Sequence, residues 1–320
     1  MTGTQTAPRP EPSGALLVLA AALLWSTTGI AGQMLAPTPP STVAALRLVL
    51  GAAALVLMAP LLGQRGGRWR DLSSSSRWIL LLAGVCTAAF QLCFFSAVRI
   101  TGASVGTLTT LAAAPVFAAL IDWRVRRERP GRAWYVGTAL STAGVALVTV
   151  SGGDVSVRFA GVALATLCGL CYAGYSSTTG ALARQGLSRA GVVRISLSIG
   201  AVLIAPVLVG ADLRPLGNTR DLLIVGWLAV AGTALPYLAF VAGLRYAAAR
   251  TAASVGLAQP VAAAVLAVLI LHEPVTLSLG IAAALLAAGL IVVTSPALRR
   301  ARVPAPAPAA EPAQAVGRSA

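Results

Sequence analysis

The sequence of 320 residues contains no lysine, one histidine, four cysteines and only nine acidic residues. Because every basic residue is an arginine, the net charge of +15 is carried by guanidinium groups alone. The cysteines, Cys86, Cys93, Cys168 and Cys171, all lie inside apolar segments, whereas the disulfide frameworks of secreted domains lie in loops. The sequence therefore does not predict a disulfide-stabilised secreted domain.

Charged residues of both signs make up only 10% of the chain, and hydrophobic residues make up 57%. Soluble domains of this size rarely reach the resulting mean hydropathy of +0.83, which is typical of chains whose helices face lipid. The arginines lie between long apolar runs and not on one soluble face. We therefore expect a lipid bilayer, and no nucleic acid, as the surroundings of the chain.

Several features that enzymes and pumps need are missing from the sequence. No glycine loop of the Walker type is present, so ATP is not expected to drive the protein directly. Cys168 and Cys171 have a spacing found in metal sites, but buried cysteines on packed helices are far commoner. No clustered serine and histidine or paired aspartates lie at depth in an apolar run. We expect no metal, no cofactor and no catalytic site.

Ten apolar runs are each long enough to span a bilayer, which takes about 20 residues of helix. They are Gly14–Leu35, Ser41–Leu62, Trp78–Val98, Gly102–Trp123, Ala133–Val150, Ala160–Leu182, Val192–Val209, Leu222–Gly243, Thr251–Leu271 and Thr276–Ser295. Residues 1–13 are polar and Pro-rich, and residues 297–320 are basic and Ala/Pro-rich, so both are expected to be disordered tails.

The positions of the arginines predict how the spans are oriented. If the N-terminus is cytoplasmic, most arginines fall in cytoplasmic segments, and only Arg99, Arg158, Arg214 and Arg220 fall outside. Cytoplasmic loops of membrane proteins have this excess of positive charge. The sequence therefore predicts a multi-pass protein of the cytoplasmic membrane with both termini in the cytoplasm.

The two halves of the chain repeat each other at an offset of about 146 residues, and a repeat of this kind indicates duplication. The matches are Trp25 with Tyr172, Arg47 with Arg194, Phe94 with Phe240, Arg99 with Arg245, Pro115 with Pro260, Glu128 with Glu273, and Gly144 with Gly289. Five spans in each half force the second half to enter the membrane upside down. The predicted fold is an all-α polytopic membrane protein of ten transmembrane helices, arranged as two inverted five-helix repeats around a central cavity. The first repeat covers 14–150, a linker 151–158, and the second repeat 159–296.

Motifs in both halves carry a family resemblance over roughly residues 14–295. The first half contains Leu23-Leu24-Trp25, Arg47, Phe94-Phe95-Ser96-Ala97-Val98, Pro115, Glu128 and Gly144, and the second contains Gly243-Leu244-Arg245-Tyr246, Pro260-Val261, His272-Glu273-Pro274 and Gly280. In these motifs the chain resembles the drug/metabolite transporter superfamily and, within it, the EamA branch. The resemblance implies a cavity lined by helices one, three, four, six, eight and nine, and export or exchange of amino acids, metabolites or drugs. Two departures are Tyr172, where the family commonly has tryptophan, and Ser26, where glycine often follows Trp25.

Two prolines inside predicted spans are candidate hinges. Pro115 and Pro260 each free the carbonyl four residues earlier, at Leu111 and Gly256, which needs another partner in lipid. A hydroxyl, a water or a substrate could supply that partner, and Thr109, Thr110, Ser254 and Gln259 lie near enough in sequence to matter. The same prolines could instead make fixed kinks that only shape packing.

Polar and aromatic side chains inside the spans are candidates for the cavity wall. An unpaired buried amide is costly, so Gln91 and Gln259 should face the interior, where they bind substrate or bridge helices. The other cavity candidates are Trp25, Phe95, Thr110, Tyr172, Tyr175 and Tyr237, of which the aromatic ones could equally be core packing or interface anchors.

The charged candidates are few. Arg47 and Arg194 could bind a carboxylate or phosphate in the cavity, or extend to the membrane interface. Glu128 and Glu273 suit helix N-termini, with a gating role as the alternative. No acidic residue lies at the centre of a span, and Asp122 comes closest, so facilitated diffusion or exchange is favoured over proton coupling.

The sequence predicts a secondary transporter that moves a small-molecule substrate by alternating access. We expect the substrate to be an amino acid or a related metabolite, exported or exchanged. The alternatives are a multidrug efflux permease and a membrane scaffold or receptor that transports nothing. The chain is expected to work as a monomer or a homodimer.

Overall fold

The computed structural model describes residues 12–35, 37–61, 72–127, 131–150, 155–246, 255–256, 258–273 and 276–294, and these residues contain helices and no strand. The helices are α1 (Pro12–Met34), α2 (Pro40–Leu61), α3 (Ser74–Thr101), α4 (Ala103–Arg126), α5 (Arg132–Val150), α6 (Val155–Arg184), α7 (Arg189–Ile204), α8 (Thr219–Ala229, Val230–Ala234 and Leu235–Tyr246), α9 (Ala258–Leu271) and α10 (Leu277–Thr294). The middle segment of α8 is a π-helical turn, and two short 3₁₀ helices, Ala205–Leu208 and Arg214–Leu216, follow α7.

The lengths of the helices fit a membrane. Within the described residues, seven helices are long and apolar enough to cross a bilayer, and shorter apolar helices cover Ala258–Leu271 and Gly280–Val292. The helix ends extend past the predicted spans. For example, α6 begins at Val155, inside the predicted linker 151–158, because hydropathy marks the lipid-facing part of a helix and not its ends. Likewise α1 begins at Pro12, within the predicted N-terminal tail.

Side-chain caps begin several helices where the chain enters from a connector. Ser73 accepts a hydrogen bond from the backbone N–H of Ser76 at the start of α3, and Ser188 does the same for Gly191 at the start of α7. Asn218 caps α8 through the N–H of Asp221. These caps satisfy backbone donors that have no partner inside the helix.

The packing of the helices repeats itself between the two halves. Helix α3 packs against α6, and its repeat mate α8 packs against α1. Likewise α4 packs on α6 and α9 on α1, whereas α3 packs on α7 and α8 on α2. Helices α5 and α10, which are mates of each other, pack together. The fold is therefore all-α, with ten membrane helices in two inverted five-helix repeats that interlock.

Helices α5 and α10 show the repeat at the level of single atoms. A Cβ added to Gly144 would lie 2.9 Å from the carbonyl oxygen of Ala282, and one added to Gly289 would lie 2.7 Å from the carbonyl oxygen of Gly137. Gly144 and Gly289 are repeat mates, and so are Gly137 and Ala282. Each helix thus presents the same small residues to the other, as close helix packing in membranes requires.

Candidate functional site

A cavity of about 320 Å³ lies between the two repeats. That volume is at the lower end of the range for small-molecule sites in proteins. Its wall includes most of the predicted cavity residues, namely Trp25, Gln91, Thr110, Tyr172, Tyr175, Tyr237 and Gln259. The structure therefore brings together side chains from α1, α3, α4, α6, α8 and α9.

Aromatic rings form much of the cavity wall. The ring of Trp25 meets that of Tyr237 edge to face at 5.2 Å between centroids and that of Phe240 at 5.6 Å. On α3, the ring of Phe90 stacks on that of Phe94 at 5.7 Å between centroids. Sequence reasoning did not assign Phe90 to the cavity. The sequence pattern that indicates Phe90 is the helical spacing of Thr87, Phe90, Gln91 and Phe94. This spacing places all four cavity residues on one face of α3.

Arg47 lies at the cavity wall, bonded to two other helices. Its side chain is 5% exposed, so it does not extend to the membrane interface. Nη1 donates to Oε1 of Gln91 at 2.7 Å, Nη2 donates to the carbonyl oxygen of Gly232 at 2.8 Å, and Nε donates to Oγ1 of Thr233 at 3.2 Å. The guanidinium carbon also lies 5.8 Å from the centroid of the Phe95 ring. Arg47 therefore joins α2, α3 and α8 beside the cavity.

The π-helical turn of α8 explains why Arg47 finds acceptors there. In a π-helical turn the regular ladder of backbone hydrogen bonds is interrupted, and such turns are frequent at functional sites. The carbonyl of Gly232 and the hydroxyl of Thr233 lie in that turn and accept bonds from Arg47. A Cβ added to Gly51 would lie 2.6 Å from Cγ2 of Thr233, so glycine at this position allows α8 to approach α2.

Thr28 of α1 contributes another buried polar group to the wall. Its side chain is 3% exposed, and its hydroxyl has no hydrogen-bond partner in the part of the chain that the structure describes. Oγ1 of Thr28 lies 3.5 Å from the position that a Cβ on Gly232 would take, next to the carbonyl that Arg47 binds. A buried hydroxyl without a partner is unusual, because protein interiors pair nearly all such groups.

The predicted hinge prolines lie beside the cavity and not on its wall. Helix α4 continues through Pro115, and Leu111, whose carbonyl Pro115 frees, lines the cavity. Pro260 is buried in the described part of α9, Ala258–Leu271, and residues 255–256 before it are also helical. Its neighbour Gln259 lines the cavity, whereas Ser254 is outside the described residues.

The remaining candidates are distributed elsewhere. Phe95 packs against Gly32 of α1 at the edge of a very small separate cleft, and it is not among the residues that line the main cavity. Arg194, the mate of Arg47, is half-buried on α7 and also outside the lining. Asp122 is half-buried towards the end of α4, away from the cavity wall. Glu128 is outside the described residues.

Hydrogen bonds connect the helices beyond the cavity wall on one side, which we call the Gly102 end because α3 and α4 join there. Glu273, which follows α9, accepts from the backbone N–H of Ala103 at 2.6 Å and of Ser104 at 3.3 Å. The carboxylate thus caps α4, and not α10 as its place in the sequence suggested. Gly102 has φ +87°, and a Cβ there would lie 2.9 Å from Oε1 of Glu273.

Two more bonds connect neighbouring helices at the Gly102 end. Nε2 of Gln33 on α1 donates to the carbonyl oxygen of Val98 on α3 at 2.7 Å. Nη2 of Arg99 donates to the carbonyl oxygen of Thr38 at 2.6 Å, connecting α3 to the α1–α2 connector. Together with the Glu273 cap, these bonds hold α1, α3, α4 and the end of α9 against one another.

The cavity extends in the opposite direction, towards what we call the α6–α7 end. Its wall there includes Gly180 and Ala183 near the end of α6, Leu244 near the end of α8, and Arg189 at the start of α7. Arg189 is exposed, and its Nη1 donates to the carbonyl oxygen of Leu244 at 3.2 Å. Among the described residues, the cavity therefore reaches the surface at the α6–α7 end.

The four cysteines are all free in the structure. Sγ of Cys168 lies 3.5 Å from the carbonyl oxygen of Phe90, to which it donates. No group of three or more His, Cys, Asp or Glu side chains that could hold a metal ion occurs within the described part of the chain.

Comparison with known proteins agrees with this architecture. The sequence matches the EamA-like transporter family over residues 12–150 and 159–295. The uncharacterized transporter YwfM of Bacillus subtilis (strain 168) is 32% identical over 286 residues, which cover 88% of this chain and 93% of the relative. A solved crystal structure at 22% identity has the same fold, with a TM-score of 0.61 over 88% of this chain and 96% of that one. The resemblance read from the sequence motifs is confirmed.

Proposed function

The chain belongs to the EamA-like transporter family, and from this premise we propose that it is a secondary transporter that works by alternating access. Its substrates in this proposal are small metabolites, amino acids or related compounds, which it exports or exchanges. Seven described helices can cross a membrane, so the protein is a multi-pass membrane protein.

The observation that carries the proposal is a cavity that reaches the surface at one end within a scaffold of two interlocked repeats. The cavity reaches exposed Arg189 at the α6–α7 end, whereas its described lining does not include Glu273 or the residues bonded to it at the Gly102 end. In transporters with inverted repeats, the two halves exchange conformations around a site near the midplane. The same scaffold can therefore open at the Gly102 end when the repeats exchange.

The wall of the cavity supports small metabolites as cargo. A cavity of about 320 Å³ is in the range of small-molecule sites. Its rings offer an apolar surface, and Gln91, Arg47 and Thr110 offer hydrogen-bonding groups that fix the orientation of a solute. Multidrug efflux is a second candidate, because the paired rings of Trp25 and Tyr237 could hold flat apolar compounds in several orientations.

The direction of the open end follows from the arginines. The connectors on the side of the α6–α7 end contain most of the arginines in the sequence, and positive charge accumulates on the cytoplasmic side. In this proposal the cavity opens to the cytoplasm, both termini are cytoplasmic, and the membrane is the cytoplasmic membrane. No Asp or Glu is among the described residues that line the cavity, which favours exchange or facilitated diffusion over proton coupling.

Reconstitution into liposomes tests the proposal. Purified protein in vesicles should accelerate the uptake of at least one labelled amino acid or metabolite from a panel, compared with vesicles without protein. Preloading with the unlabelled solute should increase that uptake, because an exchanger moves both. A scaffold or receptor would move no solute under any gradient, and that result would refute the proposal.

The same vesicles test the mode of coupling. Uptake should be equal with and without a pH gradient in the wild type. If a pH gradient drives uptake and Asp122→Asn removes that dependence, the proposal of uncoupled movement is wrong and Asp122 is the coupling group.

A further inference from the structure

We propose that Arg47 is the binding site for the carboxylate of the transported solute, so that the cavity selects compounds with a carboxylate over otherwise equal compounds without one. This inference rests on the proposed transport function and specifies its substrate class. Three features of the described residues support it: a buried cation without a described counter-charge, N–H groups that remain available, and a neighbouring hydroxyl without a described partner.

Among the described residues, the positive charge of Arg47 has no carboxylate partner. Its described partners, Gln91, Gly232 and Thr233, are all neutral, and no Asp or Glu among the described residues bonds to it. The residue is the eighth of α2, so it lies about 10 Å along the helix from its start. A buried charge inside a membrane protein normally faces a cavity or pairs with an opposite charge. Because Arg47 faces the cavity without a described counter-charge, an anionic solute can supply it.

The guanidinium group keeps donors for such a solute. An arginine has five N–H groups, and the bonds to Gln91, Gly232 and Thr233 use one each from Nη1, Nη2 and Nε. Each terminal nitrogen therefore retains one N–H. A carboxylate has two oxygens that accept hydrogen bonds from an arginine fork, and such charge-assisted bonds are about twice as strong as neutral ones.

Thr28 provides a further donor close to the same place. Its buried hydroxyl has no partner among the described residues and lies beside Gly232, to which Arg47 donates. A hydroxyl can rotate to donate to an oxygen that a ligand brings. Thr28 of α1 and Arg47 of α2 both belong to the first repeat and face α8 of the second repeat. A carboxylate bound between them would therefore lie at the interface of the two repeats.

The fixed bonds of Arg47 also position it. Gln91 and the π-helical turn hold the guanidinium beside the cavity, and Gly51 allows the turn to come close. A purely structural arginine would need these bonds as well, so the test must include a readout that a structural role does not change. Selectivity between a carboxylate and its amide is such a readout.

The experiment compares matched solutes on the purified wild-type protein. The probes are the proteinogenic L-amino acids, each paired with its C-terminal amide, which keeps the side chain and the ammonium group but lacks the carboxylate. Two measurements are made: counterflow in proteoliposomes and the shift of the thermal unfolding temperature in detergent. For at least one pair, the acid should be preferred by roughly tenfold or more, a difference expected from charge-assisted bonds to an arginine. Equal responses to acid and amide in every pair that responds would overturn the inference.

Variants then assign the preference to Arg47. Arg47→Gln should make acid and amide equal, and Arg47→Lys should reduce the preference because an ammonium group lacks the fork. Arg214→Gln is the matched control, since it also removes one arginine but at an exposed site paired with Asp212. The control should keep the full preference. If Arg47→Lys and Arg47→Gln both keep it, the carboxylate binds elsewhere and the inference is wrong.

The design separates this inference from the proposed function. A thermal shift that depends on the carboxylate and on Arg47, in a protein that moves no solute, would support the binding site and refute transport. Transport of solutes without regard to their carboxylates would support transport and refute the binding site. Stabilisation by inorganic phosphate alone, with no response to any amino acid, would also refute it, as would the absence of a thermal shift with every probe.

Discussion

The interface between α2 and α8 and its repeat mate between α7 and α3 have the same place in the fold but different chemistry. At the first, Arg47 is buried and bonded to Gly232 and Thr233 of α8. At the second, the mate Arg194 is half-buried, and small residues of α3 and α7 meet, since a Cβ on Gly200 would lie 3.0 Å from the carbonyl oxygen of Gly84.

The backbone differs between the two interfaces in a way that accounts for the chemistry. Helix α3 is a continuous α-helix from Ser74 to Thr101, whereas its mate α8 contains the π-helical turn Val230–Ala234. The turn presents the carbonyl of Gly232 and the hydroxyl of Thr233 to Arg47. The two interfaces have equivalent places in the two repeats. The π-helical turn of α8 makes the interface between α2 and α8 a polar site.

The largest difference in transport rate between the two interfaces should come from replacing their arginines, Arg47 and Arg194. Arg47→Leu removes the partner of Gln91 and of the Gly232 carbonyl, and each buried polar group left unpaired costs about 1–3 kcal/mol. We expect initial rates of proteoliposome uptake to fall by roughly 100-fold or more. That factor corresponds to a loss of about 2.7 kcal/mol in the free energy of solute binding. Arg194→Leu should reduce the rate by much less. Equal losses in both variants would show that the interfaces are functionally alike.

The second comparison uses glycines at the two interfaces. In Gly51→Ala the new Cβ would lie 2.6 Å from Thr233, and in Gly84→Ala it would contact Ile199 of α7. Overpacking of this kind costs about 1–3 kcal/mol, so both variants should unfold at lower temperature by a similar amount. Only Gly51→Ala should also lose carboxylate preference, because it displaces an acceptor of Arg47. Retained preference in a folded Gly51→Ala protein would contradict the account of the π-helical turn.

A smaller effect should separate the two ends of the cavity. In Glu273→Gln the α4 N-terminus loses a negatively charged cap, which weakens the Gly102 end by roughly 0.3–1 kcal/mol. A single cysteine at Thr107, at the deep part of the cavity wall, should then react a few times faster with a membrane-impermeant thiol reagent added from the Gly102 side. The comparison uses a background without the native cysteines. An unchanged rate would argue against Glu273 as part of the closure.

The smallest difference is expected where the repeats are most alike, at α5 and α10. Gly144→Ala and Gly289→Ala each place a Cβ against the backbone of the partner helix, near Ala282 and Gly137 respectively. Both variants should be destabilised by about 1–3 kcal/mol, and neither should change the carboxylate preference. Thermal unfolding of the two variants checks this symmetry. A large loss in one variant alone would show that the crossing is not symmetric.

The fold could be predicted from the sequence because the features that determine it are long and occur in both halves. Apolar runs of about 20 residues and the matched pairs such as Pro115 with Pro260 predict ten helices in two halves. The start of α6 was harder to predict, because the helix extends beyond the apolar run to Val155. The π-helical turn in α8 was not predicted, because no residue pattern in Val230–Ala234 distinguishes it from a regular helix.

The candidate site could be predicted from the sequence only in part. Polar and aromatic residues inside spans, such as Gln91 and Tyr237, were candidates because such groups avoid lipid, and the structure has them on the cavity wall. The choice for Arg47 between a cavity and the membrane interface needed the tertiary structure, since two of its three acceptors lie in the turn of α8 and the third on α3. The partner of Glu273 is likewise a different helix, 169 or more positions away in sequence.

The most direct test of the account is whether the solute passes through the described cavity. A single cysteine replaces Ser176, an exposed residue of the cavity wall, in a background without the native cysteines, and proteoliposome counterflow is measured before and after a hydrophilic thiol reagent. The control cysteine replaces Asp212, which is exposed on the α7–α8 connector. The account predicts that the reagent blocks counterflow through the Ser176→Cys protein and not through the Asp212→Cys protein. Undiminished counterflow after complete labelling at position 176 would contradict it.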